Sequence, residues 1–74
     1  MSKVPNLGDI YPDGVTITVD WDAMEVDMSV FVPCINSEEA KLQADKIARK
    51  RGWKVKVQAR IEDGKFGVRI WRVM

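Results

Sequence analysis

Seventy-four residues, 46% of them apolar, make one small domain and exclude wholesale disorder. One cysteine and no histidine exclude an internal disulfide or a Cys/His zinc site, so a core of this size, worth about 3 to 5 kcal/mol, has no covalent or metal staple. The net charge of +1 conceals a split: residues 1–39 hold eight acids and one base, residues 40–74 eleven bases and three acids, giving halves of −7 and +8.

Residues 1–14 carry Pro5, Gly8, Pro12 and Gly14, which punctuate both helix and strand and predict an irregular N-terminal arm anchored by Val4, Leu7, Ile10 and Tyr11. The start shows neither the basic region nor the apolar stretch of a signal peptide. Apolar runs fall well short of the roughly 20 residues a membrane span needs, so a cytoplasmic location without membrane contact is expected.

From residue 15 the pattern alternates. Val15, Ile17, Val19 and Trp21 share one side against Thr16, Thr18 and Asp20, and Val26, Met28, Val30 and Val32 share one side against Asp27, Ser29 and Phe31 until Pro33 ends the run. This predicts two strands. Joined by a two-residue loop at Asp22 and Ala23, they would pair Val19 with Val26 and Ile17 with Met28, although the turn chemistry there is weak and a longer loop serves equally.

Asn36 or Ser37 caps a helix whose first turn holds Glu38 and Glu39, with Asn36 and Glu39 spaced as a capping box; Arg49, Lys50 and Arg51 fill its last turn and Gly52 stops it. Ala40, Ala44, Ile47 and Ala48 form its core stripe, and Leu42 points away from it. The last hairpin is the clearest element. Trp53, Val55, Val57, Ala59 and Ile61 alternate with Lys54, Lys56, Gln58 and Arg60, Asp63-Gly64 supplies a type I′ turn, and Phe66, Val68 and Ile70 return on the apolar side. With Glu62 opposite Lys65, Ile61 pairs with Phe66, Ala59 with Val68 and Val57 with Ile70, while Arg60 faces Gly67, Gln58 faces Arg69 and Lys56 faces Trp71. The fold expected is α+β in the order ββαββ: one largely antiparallel four-stranded sheet over residues 15–74, with the single helix on one face and the strand order open.

No nucleophile and base pair, metal loop or glycine-rich phosphate loop is present, so no enzymatic activity and no cofactor is expected. The outer face of the last hairpin is instead a cationic strip around an indole, the pattern that suits phosphate contact with base stacking. Lys54, Lys56, Arg60, Arg69 and Trp71, with Lys46, Arg49, Lys50 and Arg51 at the helix end, are the candidate nucleic-acid contacts; parity turns Arg72 toward the helix side. A competing expectation is a partner protein bound through the acidic half, at Asp20, Glu25, Asp27, Phe31 and Leu42. Asp20, Glu25 and Asp27 would share the outward face of the first hairpin, and the charge dipole would also suit a homodimer.

Trp21, Met24 and Ser29-Val30-Phe31-Val32-Pro33, followed by Gly67-Val68-Arg69-Ile70-Trp71-Arg72, resemble a group of small phage-encoded proteins with a W-x-x-M, S-F-F-V-P and G-V-R-V-W-R pattern. The resemblance spans residues 21–73 and departs from the pattern at Asp27, where the group has glycine, and at Val30, where it has phenylalanine. It implies phage origin and action in the bacterial cytoplasm, where the competing partner would be a bacterial host protein, and it transfers no active site.

Overall fold

The computed structural model describes residues 9–74, so Val4 and Leu7 of the expected anchor lie outside the described residues. Its elements are a 3₁₀ turn at Trp21–Ala23, strand β1 at Ser29–Pro33, helix α1 at Ser37–Arg51, and strands β2 at Val55–Glu62 and β3 at Lys65–Arg72. The fold is α+β, with one α-helix and one three-stranded antiparallel sheet ordered β1-β3-β2 among the described residues. Both outer strands run against β3 and therefore parallel to one another, with α1 crossing between them.

The helix closes as its sequence dictates. The Asn36 side chain accepts from the Glu39 N–H at 3.1 Å. The reciprocal half of the capping box is absent: the Asn36 N–H donates to Asp13 at 2.7 Å, and Glu39 accepts from Gln43. At the other end Gly52 takes φ +71°, its N–H reaches Arg49, and the Trp53 N–H reaches the Ala48 carbonyl at 2.8 Å, a Schellman closure. Asp63 and Gly64 both have positive φ, as a type I′ turn requires, and the register of the last hairpin is the one predicted.

The fourth strand is not formed. Residues 15–20 are irregular apart from one bridge between Ile10 and Ile17, and the expected pairings of Val19 with Val26 and Ile17 with Met28 are absent. Asp20 instead caps the 3₁₀ turn, Glu25 to Met28 make a turn closed at 3.0 Å, and Asp27 takes φ +72°. The Arg72 carbonyl accepts from the Asp27 N–H while its N–H donates to Met28, so two residues oppose one and β1 begins with a bulge.

The reason lies in coverage. A helix about 10 Å across spans roughly two strands at about 4.8 Å each, and α1 packs on β2 and β3. Val30 and Val32 of β1 need another cover, and residues 9–24 supply it: Ile10, Trp21 and Met24 are buried with Val32, Val68 and Ile70, and Ile17 and Val19 are half-buried against them. Val15, Val26 and Met28, expected on the buried side, are exposed at 64, 48 and 45%. Asp13 holds the Ile35 and Asn36 N–H groups at 2.8 and 2.7 Å, Tyr11 donates its N–H to Gln43, and Asp22 meets Arg51 at 2.7 Å. The segment is thus fastened near both ends of α1.

Candidate nucleic-acid interface

Because α1 and residues 9–24 occupy one side of the sheet, the other side is open, and among the described residues no element packs on it. Strand parity fixes what it displays: Ser29, Phe31 and Pro33 from β1, Gly67, Arg69 and Trp71 from β3, and Lys56, Gln58, Arg60 and Glu62 from β2, with Lys54 and Lys65 in phase at the ends. Across the strands Phe31 faces Arg69, which faces Gln58; Ser29 faces Trp71, which faces Lys56. Phe31 and Trp71 are therefore diagonal neighbours on adjacent strands, both half-buried, with cations around them.

Arg69 is the organiser of this face. Its Nε and Nη2 donate to the Glu62 carboxylate at 2.7 and 2.5 Å, its Nη1 donates to Ser29 Oγ at 2.7 Å, and its guanidinium lies 5.9 Å from the Phe31 ring centre. Hydrogen bonding from Arg69, above all, holds the Glu62 carboxyl below its ordinary value against some desolvation, with the charges of Arg69 and Arg60 adding to it. The same bonds raise Arg69. Arg60 reaches Glu62 at 3.4 Å and stands 5.8 Å from the Trp71 ring centre, so the cation against this indole is Arg60. Among the described residues Lys54, Lys56 and Lys65 make no ion pair.

A Cβ on Gly67 would stand 2.3 Å from the Val32 carbonyl oxygen and 2.8 Å from both Pro33 Cα and Phe31 Cζ, so the missing side chain makes room for the β1 backbone and the Phe31 ring.

The helix-end cluster lies in the other layer. Lys46, Arg49 and Lys50 line a groove with Asp9, Gln43 and Ile47, away from the open face. Arg51 is engaged by Asp22 and by the Trp53 ring, 5.2 Å away, and Arg72 lies on the helix side, 3.9 Å from the Trp53 ring centre with Nη1 donating to the Met24 carbonyl. The structure thus brings Lys54, Lys56, Arg60, Arg69 and Trp71 together and separates them from Lys46, Arg49, Lys50 and Arg51.

The acids expected to share one outward hairpin face do not, because that hairpin is absent. Asp20 caps a turn and Glu25 and Asp27 occupy the bend before β1. Leu42 is 59% exposed on the outer side of α1, while Phe31 joins Trp71 on the open face. Alternation in residues 26–32 already set Phe31 opposite Val30 and Val32; strand order is what carries it to Trp71. Cys34 is buried, and burial with the charge of Asp13 pushes its thiol up, against a backbone hydrogen bond at Val68, which is the state of a protonated core thiol. Among the described residues no group of three or more His, Cys, Asp or Glu could hold a metal ion, and no helix is long and apolar enough to cross a membrane.

These features define a small α+β domain with a one-sided sheet and a cationic, aromatic open face. Comparison with family models, with curated proteins and with solved structures finds no match.

Proposed function

We propose that this chain is a small phage-type accessory protein that binds nucleic acid across the open face of its sheet, with single-stranded segments preferred. The observation that carries this reading is the placement of Phe31 and Trp71 as neighbours on adjacent strands, within a field of Lys54, Lys56, Arg60 and Lys65. A flat sheet offers ring faces for unstacked bases, and the surrounding cations track phosphates. Arg69, tied to Glu62 and Ser29, fixes the platform and is a positioning residue; Lys54, Lys56 and Arg60 supply the phosphate contacts. On the resemblance, the setting is a bacterial cytoplasm.

The acidic half gives less support to a host-protein partner, since Asp13, Asp20 and Asp22 are engaged within the chain. Fluorescence anisotropy with labelled single-stranded and duplex DNA and RNA, at low and physiological salt, tests the proposal. Binding is expected to favour single strands, to weaken steeply with salt and to be lost in Lys56→Glu with Arg60→Glu. No binding at low salt, or binding indifferent to that double change, overturns it.

A further inference from the structure

The two edges of the sheet differ. β1 is short, and Pro33, which has no N–H, closes it. β2 has eight residues, no proline and no bulge. The type I′ closure at Glu62 and Lys65, and the bond from the Val73 N–H to the Lys54 carbonyl at 2.8 Å, put the even-numbered residues of β2 in register with β3's donors and acceptors. The N–H and C=O groups of Val55, Val57, Ala59 and Ile61 therefore point outward along an edge that pairs with no strand among the described residues. Their side chains lie on the helix side, where the hairpin outruns α1: Ile61 is 72% exposed, and Phe66 beside it is exposed as well.

We infer that β2 pairs with β2 of a second copy, antiparallel about a two-fold axis through Ala59, joining two sheets into one. Charge favours this register over its immediate neighbours. With Ala59 opposite Ala59, Lys56 stands opposite Glu62 of the other copy, Gln58 opposite Arg60, and Lys54 reaches Gly64 at the turn. Sliding by one pair toward Gln58 sets Lys56 opposite Arg60 twice, and sliding toward Arg60 sets Arg60 on itself; like charges directly opposed disfavour both. In the selected register Val57 meets Ile61 on each side of the axis, so the exposed Ile61 gains an apolar neighbour. An axis of α1 midway over β2 and β3 would then lie about 10 Å from its mate, within the normal range for packed helices. The lysines that ordinarily protect an edge thus face no like charge here, and the open faces of two copies become one continuous surface.

This pairing is independent of nucleic-acid binding, and its test uses the helix side and the edge only. Sedimentation equilibrium of the full chain at high micromolar concentration is expected to show a dimer. Amide exchange should slow at Val57, Ala59 and Ile61 as concentration rises, while the amides of Lys56, Gln58 and Arg60 are slow throughout. Ala59→Pro removes an outward N–H that β3 does not use, and Ile61→Asp places a charge on the seam; each should weaken association about tenfold or more. Ile61→Asp, at an exposed site, keeps the test open if Ala59→Pro fails to fold. A monomer at every concentration, or a dimer insensitive to both changes with Ala59 exchanging rapidly, overturns the inference.

Discussion

Asp27 occupies a backbone position made for glycine. It is the third residue of the turn from Glu25 to Met28 and the first of the bulge that opens β1, and its φ of +72° is the left-handed conformation both devices require. A Cβ in this region carries a penalty of about 1 kcal/mol that aspartate, with its short polar side chain, only partly relieves. Glycine also widens the unfolded ensemble, which returns roughly half of the gain. Asp27→Gly is therefore expected to raise stability by about 0.5 kcal/mol, read as a higher urea midpoint at unchanged slope. A lower midpoint would mean that the aspartate side chain supports the turn more than its backbone strains it. Gly67 is the opposite kind of glycine: its conformation is ordinary, and what it provides is space for the β1 backbone and the Phe31 ring.

At the scale of elements, residues 9–24 are a second layer built from one bridge and one 3₁₀ turn, with no strand of the sheet and no α-helix, and Asp13 is their chief fastener. Its two oxygens accept from the successive N–H groups of Ile35 and Asn36, taking the place that Glu39 would fill in a complete capping box. A charged acceptor on exposed amides next to a helix start contributes about 1 kcal/mol, as an N-cap does. Asp13→Ala should lose about that much in thermal or urea unfolding, and should speed amide exchange at Ile10 and Ile17, whose mutual bridge lies within the segment that Asp13 fastens. Unchanged exchange there would show that burial of Ile10 and Trp21 holds the segment unaided. The same segment explains what the sequence could and could not convey. Alternation at Ile17, Val19 and Trp21 reports an extended chain with one face buried, and a chain lying flat beside a helix has that period as surely as a strand in a ladder. The last hairpin was legible to its register because Asp63-Gly64 fixes a two-residue turn, and α1 because Asn36 and Gly52 stop it at both ends. Strand order had no such local signal. Placing β3 between β1 and β2 depends on contacts distant in sequence, and with it went the meeting of Phe31 and Trp71.

Across the whole molecule, the segregation of acids and bases becomes a division of labour between layers. Asp13 and Asp22 fasten the N-terminal segment near the two ends of α1, while Lys54, Lys56, Arg60 and Lys65 stand on the open face, where Glu62 is the acid among them. Glu62 consequently sets how much positive charge that face presents. Because its carboxyl is held below the ordinary value, near 4.5, its contribution to stability is present above that value and is lost as the pH falls through the lower folded one. Glu62→Gln removes this contribution at neutral pH and should flatten the acid limb of a stability profile between the two values. It also removes one negative charge and releases the Arg69 fork, so the variant should bind single-stranded nucleic acid more tightly at low salt. The plot of log affinity against log salt should steepen by about 0.7, the increment for one further phosphate on a single strand. Arg69→Gln alone separates the two roles: it removes the guanidinium that lies beside Phe31 and leaves Glu62 to the weaker hold of Arg60. Weaker binding with an unchanged slope would then mark Arg69 as a positioning residue. If Glu62→Gln left affinity and slope as they are, the open face would not be where phosphates bind.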